Sequence, residues 1–285
     1  MINKIHHPIK KIKMSTANLQ LRIQDQVAWI QIDRPTKLNA LNRAVLEELN
    51  QVFSDLRTDA SVRVIVLTGS GEKAFVAGAD IAEFSEFGPV EGRALAQKGQ
   101  DAVFTFIEQM NKPVIAAING HAVGVGITYP MLCDIRIVSE TAKIQYAMVR
   151  RGILPELGSH VLLPRVIGFS RAADLLLTGR LIMGTEAAEM GLASRAVPAD
   201  QVLAVATEMA RDIAINVSPV SAALAKQLMW DGMNTSVDHM IMTEGKLLPG
   251  LTAAPDSAEG VRAFFEKRAP KWRSRVSSDM PVIPK

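Results

Sequence analysis

The 285-residue chain is 48% hydrophobic and 21% charged, proportions typical of a globular protein and not of a disordered or coiled-coil one. No apolar run approaches the ~18 residues of a membrane-spanning helix, and a single cysteine, Cys133, excludes an internal disulfide or a cysteine cluster for zinc and favours a reducing, cytoplasmic compartment. The formal charge of +3 becomes −1 without four lysines of residues 1–16, so charge does not indicate a nucleic-acid partner.

Residues 1–16 carry those lysines, no acid and no apolar core of signal-peptide length. We expect a disordered leader there, and Met14 offers an alternative start. Residues 17–205 are predicted to form an α/β core, and residues 206–285 a helical C-terminal region.

The core predicts an alternation of strands and helices. Apolar spacing indicates a helix over 43–57 with one buried face, and the largely apolar run 62–67 is typical of a strand buried on both sides. Other strands are predicted at 19–23, 27–32, 113–118, 134–138 and 143–145, and other helices at 90–110 and after Gly126.

After Gly152 the pattern is helical to the end of the chain. Ser218 followed by Pro219 predicts a helix start, with serine as the N-cap and proline in the first turn. Asp256 and Glu259 have the spacing of a capping box.

Two glycine loops stand where a predicted strand leads into a helix. Residues 74–81 contain Gly78, and residues 119–126 contain Gly124 and Gly126. Free N–H groups after such glycines can bind an anion, and two donors aimed at one oxygen form an oxyanion hole. A turn capped by Asp80 is the structural alternative for the first loop, and the second lacks the third glycine of a dinucleotide fingerprint.

Glu156 follows a proline at an expected helix start. It could cap that helix, where the helix dipole favours a carboxylate. Burial in a pocket would instead raise its pKa and make it a usable base. No serine or cysteine partner is evident for His121 or His160, so a catalytic triad is not expected.

Together these segments resemble the enoyl-CoA hydratase/isomerase family, also called the crotonase family. The resemblance covers roughly residues 19–270 through an ordered series of motifs at 34–35, 39–42, 77–80, 113–126, 133–136, 152–155, 163–168, 178–180, 186–187, 191–192 and 264–268. It implies a spiral of ββα units with a helical C-terminal region, an acyl-CoA thioester as substrate, no metal or other cofactor, no nucleic-acid or membrane partner, and a homotrimer or homohexamer.

The resemblance also implies a site. It places the backbone N–H groups of Ala79 and Val125 in the oxyanion hole. The residues that correspond to coenzyme A contacts are Ala40, Leu41, Ala77, Ala79, Asp80, Ile81, Phe264 and Lys267. The last two are expected on one face of a C-terminal helix that covers the nucleotide.

The sequence departs from the family pattern at the positions of the catalytic acids. Thr128 and Met148 line the implied pocket at the two positions where typical hydratases carry glutamates. Glu156 stands at a third position, where some isomerases carry their single glutamate and dehalogenases a nucleophilic aspartate. We therefore expect a Δ3-Δ2 enoyl-CoA isomerase-like enzyme with Glu156 as its base. The alternatives are an atypical hydratase, another thioester reaction such as hydrolysis or dehalogenation, and a weakly catalytic acyl-CoA-binding protein.

Overall fold

A computed structural model describes residues 12–80, 107 and 110–284 of the chain. Its strands are β1 Ile12–Ser15, β2 Leu19–Gln24, β3 Val27–Ile32, β4 Val64–Gly69, β5 Ala74–Val76, β6 Val114–Ile118, β7 His121–Val123, β8 Ile135–Ser139, β9 Lys143–Gln145, β10 Leu181–Met183 and β11 Arg195–Val197. The described α-helices, numbered in chain order, are α1 Arg43–Thr58, α2 Val125–Thr128, α3 Ser159–Ile167, α4 Phe169–Thr178, α5 Gly184–Glu189, α6 Val202–Asn216, α7 Pro219–Gly232, α8 Val237–Ala253 and α9 Pro255–Phe265.

The strands form two sheets. The larger has the order β1-β2-β3-β4-β6-β8-β11 and is parallel from β3 onward, and the smaller has the order β10-β9-β7-β5. Each successive pair, β4–β5, β6–β7 and β8–β9, gives its first strand to the large sheet and its second to the small one. This repetition is the ββ part of the expected spiral, and the α/β class with a helical C-terminal region is confirmed.

The core forms where the sequence is most apolar. All six residues of β4 are buried, as are all five of β6, because helices cover the parallel sheet. On α1, one stripe of residues is buried, and the Asn42 side chain caps the helix by accepting a hydrogen bond from the Val45 N–H at 3.0 Å. The predicted helix over 43–57 and the central strands are therefore confirmed, with β4 beginning two residues later than expected.

The prediction of a disordered leader over residues 1–16 is wrong at its C-terminal end, where the chain forms a strand. Residues 12–15 pair with β2 in antiparallel register, as the edge strand β1 of the large sheet. An edge strand needs only one hydrogen-bonded neighbour, so a short basic segment can join the sheet. Residues 1–11 and most of the helix predicted at 90–110 lie outside the described residues.

The C-terminal third differs from its helical prediction in three respects. The strands β10 and β11 interrupt the helices after Gly152, and residues 266–284 follow the last helix without regular structure. Helix α6 crosses the predicted boundary at 205/206 and buries its alanine face on the large sheet, so the core extends through this helix. Each of these features depends on pairing or packing with distant residues.

The two predicted helix starts have different outcomes. Ser218 is the N-cap of α7 with Pro219 in its first turn, but its hydroxyl donates to Asp256 at 3.0 Å and does not cap the helix. The predicted capping box of Asp256 and Glu259 is not formed, because α9 begins at Pro255 with Ala254 as its N-cap. No helix in the described part of the chain is long and apolar enough to cross a membrane.

Candidate active site

The two glycine loops lie side by side. They follow β5 and β7, which are neighbouring parallel strands of the small sheet. A methyl group added to Gly124 would lie 3.9 Å from the Cα atom of Gly78, and one added to Gly126 would lie only 1.9 Å from the Val76 carbonyl oxygen. Gly126 therefore has no space for a side chain, because α2 packs directly against the end of β5.

Each loop presents a backbone N–H that forms no intramolecular hydrogen bond within the described residues, one from Ala79 and one from Val125. The Leu41 N–H donates to the Gly78 carbonyl oxygen at 2.9 Å, and the Asp80 N–H donates to the Leu41 carbonyl oxygen at 2.9 Å. Because this parallel bridge uses residues 78 and 80, the N–H of Ala79 points away from Leu41. The N–H of Val125 is free because it belongs to the first turn of α2. This arrangement suits stabilisation of an oxyanion.

Glu156 lies beside the end of the second loop. The Thr128 hydroxyl, at the last position of α2, donates to the Glu156 Oε1 atom at 2.7 Å. Thr128 is fully buried, and the Glu156 residue is half-buried. The carboxylate is therefore held by a hydroxyl group from a residue 28 positions earlier in the chain, on the helix that begins with Val125.

The structure does not support a capping role for Glu156. Helix α3 begins at Ser159, and its N-cap is Gly158. The Glu156 backbone carbonyl accepts hydrogen bonds from the N–H and the hydroxyl of Ser159. The main chain is thus fixed by the helix, while the carboxylate is directed to Thr128.

Burial raises the pKa of Glu156 above its ordinary value. Hydrogen bonds from the Thr128 hydroxyl and from the Glu156 backbone N–H oppose this shift, because they stabilise the ionised form. A carboxylate removed from water is a stronger base than an exposed one. Glu156 therefore combines the proton affinity and the fixed orientation that a general base requires.

Met148, the other residue of the implied pocket, is buried in a 3₁₀ turn at Ala147–Arg151. Its thioether can neither accept nor deliver a proton in acid–base catalysis.

The segment implied to contact coenzyme A is held by an ion pair. The Arg34 guanidinium lies 3.0 Å from the Asp80 carboxylate, with both side chains largely buried, and it also donates to the carbonyl oxygen of Ala40. Asp80 therefore joins the first glycine loop to the segment before α1, and one of its carboxylate oxygens is occupied by Arg34. Leu41 is 2% exposed, so its side chain belongs to the core.

Asn39 completes this anchor and was assigned no role from the sequence. Its backbone has a φ of +56°, and its buried amide donates to the carbonyl oxygens of Ser70 and Ala74. Arg34 was likewise missed. Both belong to the motifs that carried the family resemblance, which was the available signal. Ala77 donates from its N–H to the Leu38 carbonyl oxygen, and Ile81 lies outside the described residues.

The prediction that Phe264 and Lys267 lie on one face of a helix is wrong. Phe264 is 79% exposed near the end of α9, but Lys267 follows that helix and has a φ of +50°. Arg268 fixes this turn through Glu259, with a 2.5 Å contact that lowers the pKa of Glu259 to about 2. Both Phe264 and Lys267 are exposed to solvent, but the backbone is helical at Phe264 and left-handed at Lys267.

Comparison with known proteins gives one consistent family. A sequence-family model described as enoyl-CoA hydratase/isomerase matches residues 22–275. The short-chain-enoyl-CoA hydratase of Clostridium acetobutylicum is 38% identical over 255 residues, which cover 90% of this chain and 97% of that protein. The crotonyl-CoA hydratase of Syntrophomonas wolfei is 36% identical over 262 residues, covering 92% and 100%.

Solved structures agree with these relatives. An enoyl-CoA hydratase from Bacillus anthracis superposes with a TM-score of 0.83 at 35% identity, covering 90% of this chain and 98% of that one. An enoyl-CoA hydratase from Mycobacterium smegmatis gives a TM-score of 0.81 at 28% identity, covering 91% and 100%. The curated relatives bear hydratase names, whereas the acids of the present site suggested an isomerase pattern.

Proposed function

The chain belongs to the enoyl-CoA hydratase/isomerase family and is an acyl-CoA thioester enzyme of the crotonase type, and we propose that it moves a double bond from C3–C4 to C2–C3 of an enoyl-CoA. The observation that carries the proposal is the Thr128–Glu156 contact of 2.7 Å. This hydrogen bond orients Glu156, which is the one carboxylate at the three positions where the family carries catalytic acids. The other two positions hold Thr128 and Met148.

In this mechanism the N–H groups of Ala79 and Val125 hold the thioester carbonyl oxygen. Glu156 removes a proton from C2, and the electron pair passes into a dienolate whose oxygen carries the charge. The protonated Glu156 then returns the proton to C4, so that atoms and charges balance without a water molecule or cofactor. Removal of one donor from an oxyanion hole typically lowers kcat about 10²–10³-fold, so the two N–H groups are expected to carry much of the rate enhancement.

The Thr128 hydroxyl supports this cycle in a specific way. It occupies Oε1 of Glu156, which directs proton transfer to the other carboxylate oxygen. It also favours the ionised form and so opposes the effect of burial, which raises the pKa of Glu156. A base whose pKa is elevated by burial suits transfer of a weakly acidic C–H proton.

Hydration of a 2-enoyl-CoA is the second candidate. It is favoured by the names of the relatives from Clostridium acetobutylicum and Syntrophomonas wolfei. In this case Glu156 would have to activate water alone, since Thr128 and Met148 provide no second carboxyl group. We expect such turnover to be well below the ~10 s⁻¹ that is typical of enzymes.

One assay separates these activities. The protein is incubated with a 3-enoyl-CoA and, separately, with crotonyl-CoA, and product masses are recorded with time. Isomerisation leaves the mass unchanged and creates a conjugated enoyl absorbance, whereas hydration adds one water and removes that absorbance. Turnover of the 3-enoyl-CoA that Glu156→Gln abolishes would support the proposal. Rapid hydration of crotonyl-CoA without isomerisation would refute it, and tight binding without either turnover would favour an acyl-CoA-binding protein.

A homotrimer or homohexamer is part of the same proposal. Large apolar side chains at least 60% exposed occur on α7, α8 and α9, namely Met229, Val237, Ile241, Met242, Leu248, Phe264 and Phe265. Such a concentration of apolar surface is typical of a protein interface. Light scattering coupled to size-exclusion chromatography would give the mass, and a monomer would contradict this part.

A further inference from the structure

A cationic pocket lies at the edge of the large sheet where the parallel strands begin. Gln26, Arg63 and Lys112 line it, and they stand just before β3, β4 and β6 respectively. Its volume is about 420 Å³, within the range of small-molecule sites. Strands β4 and β6 lead away from this edge over roughly 17–20 Å, toward the glycine loops of the candidate active site, which follow β5 and β7. This pocket is therefore separate from the acyl-CoA chemistry.

Its wall carries a pronounced excess of positive charge. The lining includes one carboxylate, Asp59, and five cationic side chains, those of Arg57, Arg63, Lys112, Arg273 and Arg275. The Asp59 carboxylate already accepts hydrogen bonds from the N–H and the hydroxyl of Ser61. It is therefore only partly available to balance the cations.

Three of the guanidinium groups have no partner in the described part of the chain. Arg57, Arg273 and Arg275 donate no side-chain hydrogen bond and form no ion pair among those residues. Arg63 uses one donor on the Ala214 carbonyl oxygen at 3.0 Å and keeps others. The Lys112 ammonium contacts the carbonyl oxygens of Leu56 and Asp59, which leaves one of its three donors.

Hydrogen bonds hold the C-terminal segment that lines the pocket. The buried Asp256 carboxylate accepts hydrogen bonds from the backbone N–H groups of Arg273 and Ser274 at 2.7 and 3.2 Å. The Trp272 indole donates to the Ile215 carbonyl oxygen at 2.9 Å. These contacts hold the backbone that bears two of the free arginines, so their guanidinium groups need little further ordering to bind a ligand.

We propose that this pocket binds a phosphorylated small molecule that carries at least two negative charges. Guanidinium groups match phosphate oxygens with paired hydrogen bonds, and like charges gathered in a recess are costly until an anion neutralises them.

Calorimetric titration of the full chain with inorganic pyrophosphate at low ionic strength tests the proposal. The double variant Arg273→Ala/Arg275→Ala and the single variant Arg57→Ala should each weaken binding about tenfold to a hundredfold, the effect of losing hydrogen bonds to a charged group. The control Arg43→Ala/Arg195→Ala also removes two exposed guanidinium groups, but neither lines the pocket, so the affinity should change less than about twofold.

Three outcomes would overturn the proposal. The first is absence of pyrophosphate binding to the wild-type protein at millimolar concentration, and the second is equal weakening in the control. The third is loss of binding in Lys267→Ala, which would place the phosphate at the implied coenzyme A contact. If the tail variants fail to fold, as judged by thermal unfolding, Arg57→Ala decides alone, since it lies on α1. Turnover of enoyl-CoA should be unchanged in Arg57→Ala, which keeps this test independent of the proposed function.

Discussion

Replacement of Thr128 by valine tests the most specific feature of the site. Valine keeps the branched shape of threonine in a fully buried position and removes only the hydroxyl that donates to Glu156 at 2.7 Å. A hydrogen bond to a charged group contributes about 1.5–3 kcal/mol. Because the hydroxyl favours the ionised form, its loss adds to the effect of burial, which already raises the pKa of Glu156.

The expected result is a shift of the pH–rate profile. In Thr128→Val the acid limb of kcat should move to higher pH, because a larger fraction of Glu156 holds its proton at any given pH. On that limb the rate should fall about tenfold to a hundredfold, which is the same 1.5–3 kcal/mol expressed as an equilibrium constant. On the alkaline plateau, where Glu156 is ionised in both proteins, the loss should be much smaller and reflect orientation alone.

The assay is kcat against pH for a 3-enoyl-CoA, with thermal unfolding recorded at each pH to verify the fold. Thr128→Ser is the matched control, because it retains the hydroxyl and should keep the wild-type midpoint. An acid limb at the same pH in wild type and Thr128→Val would refute the reasoning. It would mean that the contact does not stabilise the carboxylate in the working enzyme.

Three other variants address the base, the second glycine loop and the ligand. Glu156→Gln should lower kcat at least 10²–10⁴-fold, the usual contribution of a general base, and should raise the melting temperature at pH 7. The gain in stability is expected because burial raises the folded-state pKa of Glu156, so that the charged carboxylate disfavours folding. The gain should vanish as the pH falls through that pKa. A lower melting temperature of the variant at pH 7 would contradict this reasoning. Gly124→Ala has space for its methyl group but places alanine at φ +59° and ψ −126°, so it should cost about 1–3 kcal/mol in unfolding experiments and reduce kcat; wild-type values of both would disprove this account. Lys267→Ala should weaken coenzyme A in calorimetry by about tenfold and leave a pantetheine thioester unaffected, since that ligand lacks phosphates; equal weakening would indicate a structural role.

Local sequence determined the elements that are apolar throughout or regularly patterned. Strands β4 and β6 are continuous buried runs, and α1 repeats its apolar residues with helical spacing, so burial and secondary structure agree at every position. The glycine loops were also predictable, because glycines between a strand and a helix are a local signal. The strands β5 and β7 lie inside the segments predicted as glycine loops, and pairing between the two keeps them extended.

The site was predictable in its residues and not in its contacts. The family resemblance identified Glu156, Thr128 and the two loops, but their sequence neighbours equally allowed Glu156 to be a helix cap. The hydrogen bond that distinguishes a base from a cap joins residues 28 positions apart, and the Arg34–Asp80 pair joins residues 46 positions apart. Neither has a signature in local spacing, because the order of strands in the two sheets determines which loops meet. Burial likewise raises the pKa of Glu156 only after α2 and the segment before α3 have packed together, so the proton affinity of the base is a property of the tertiary structure.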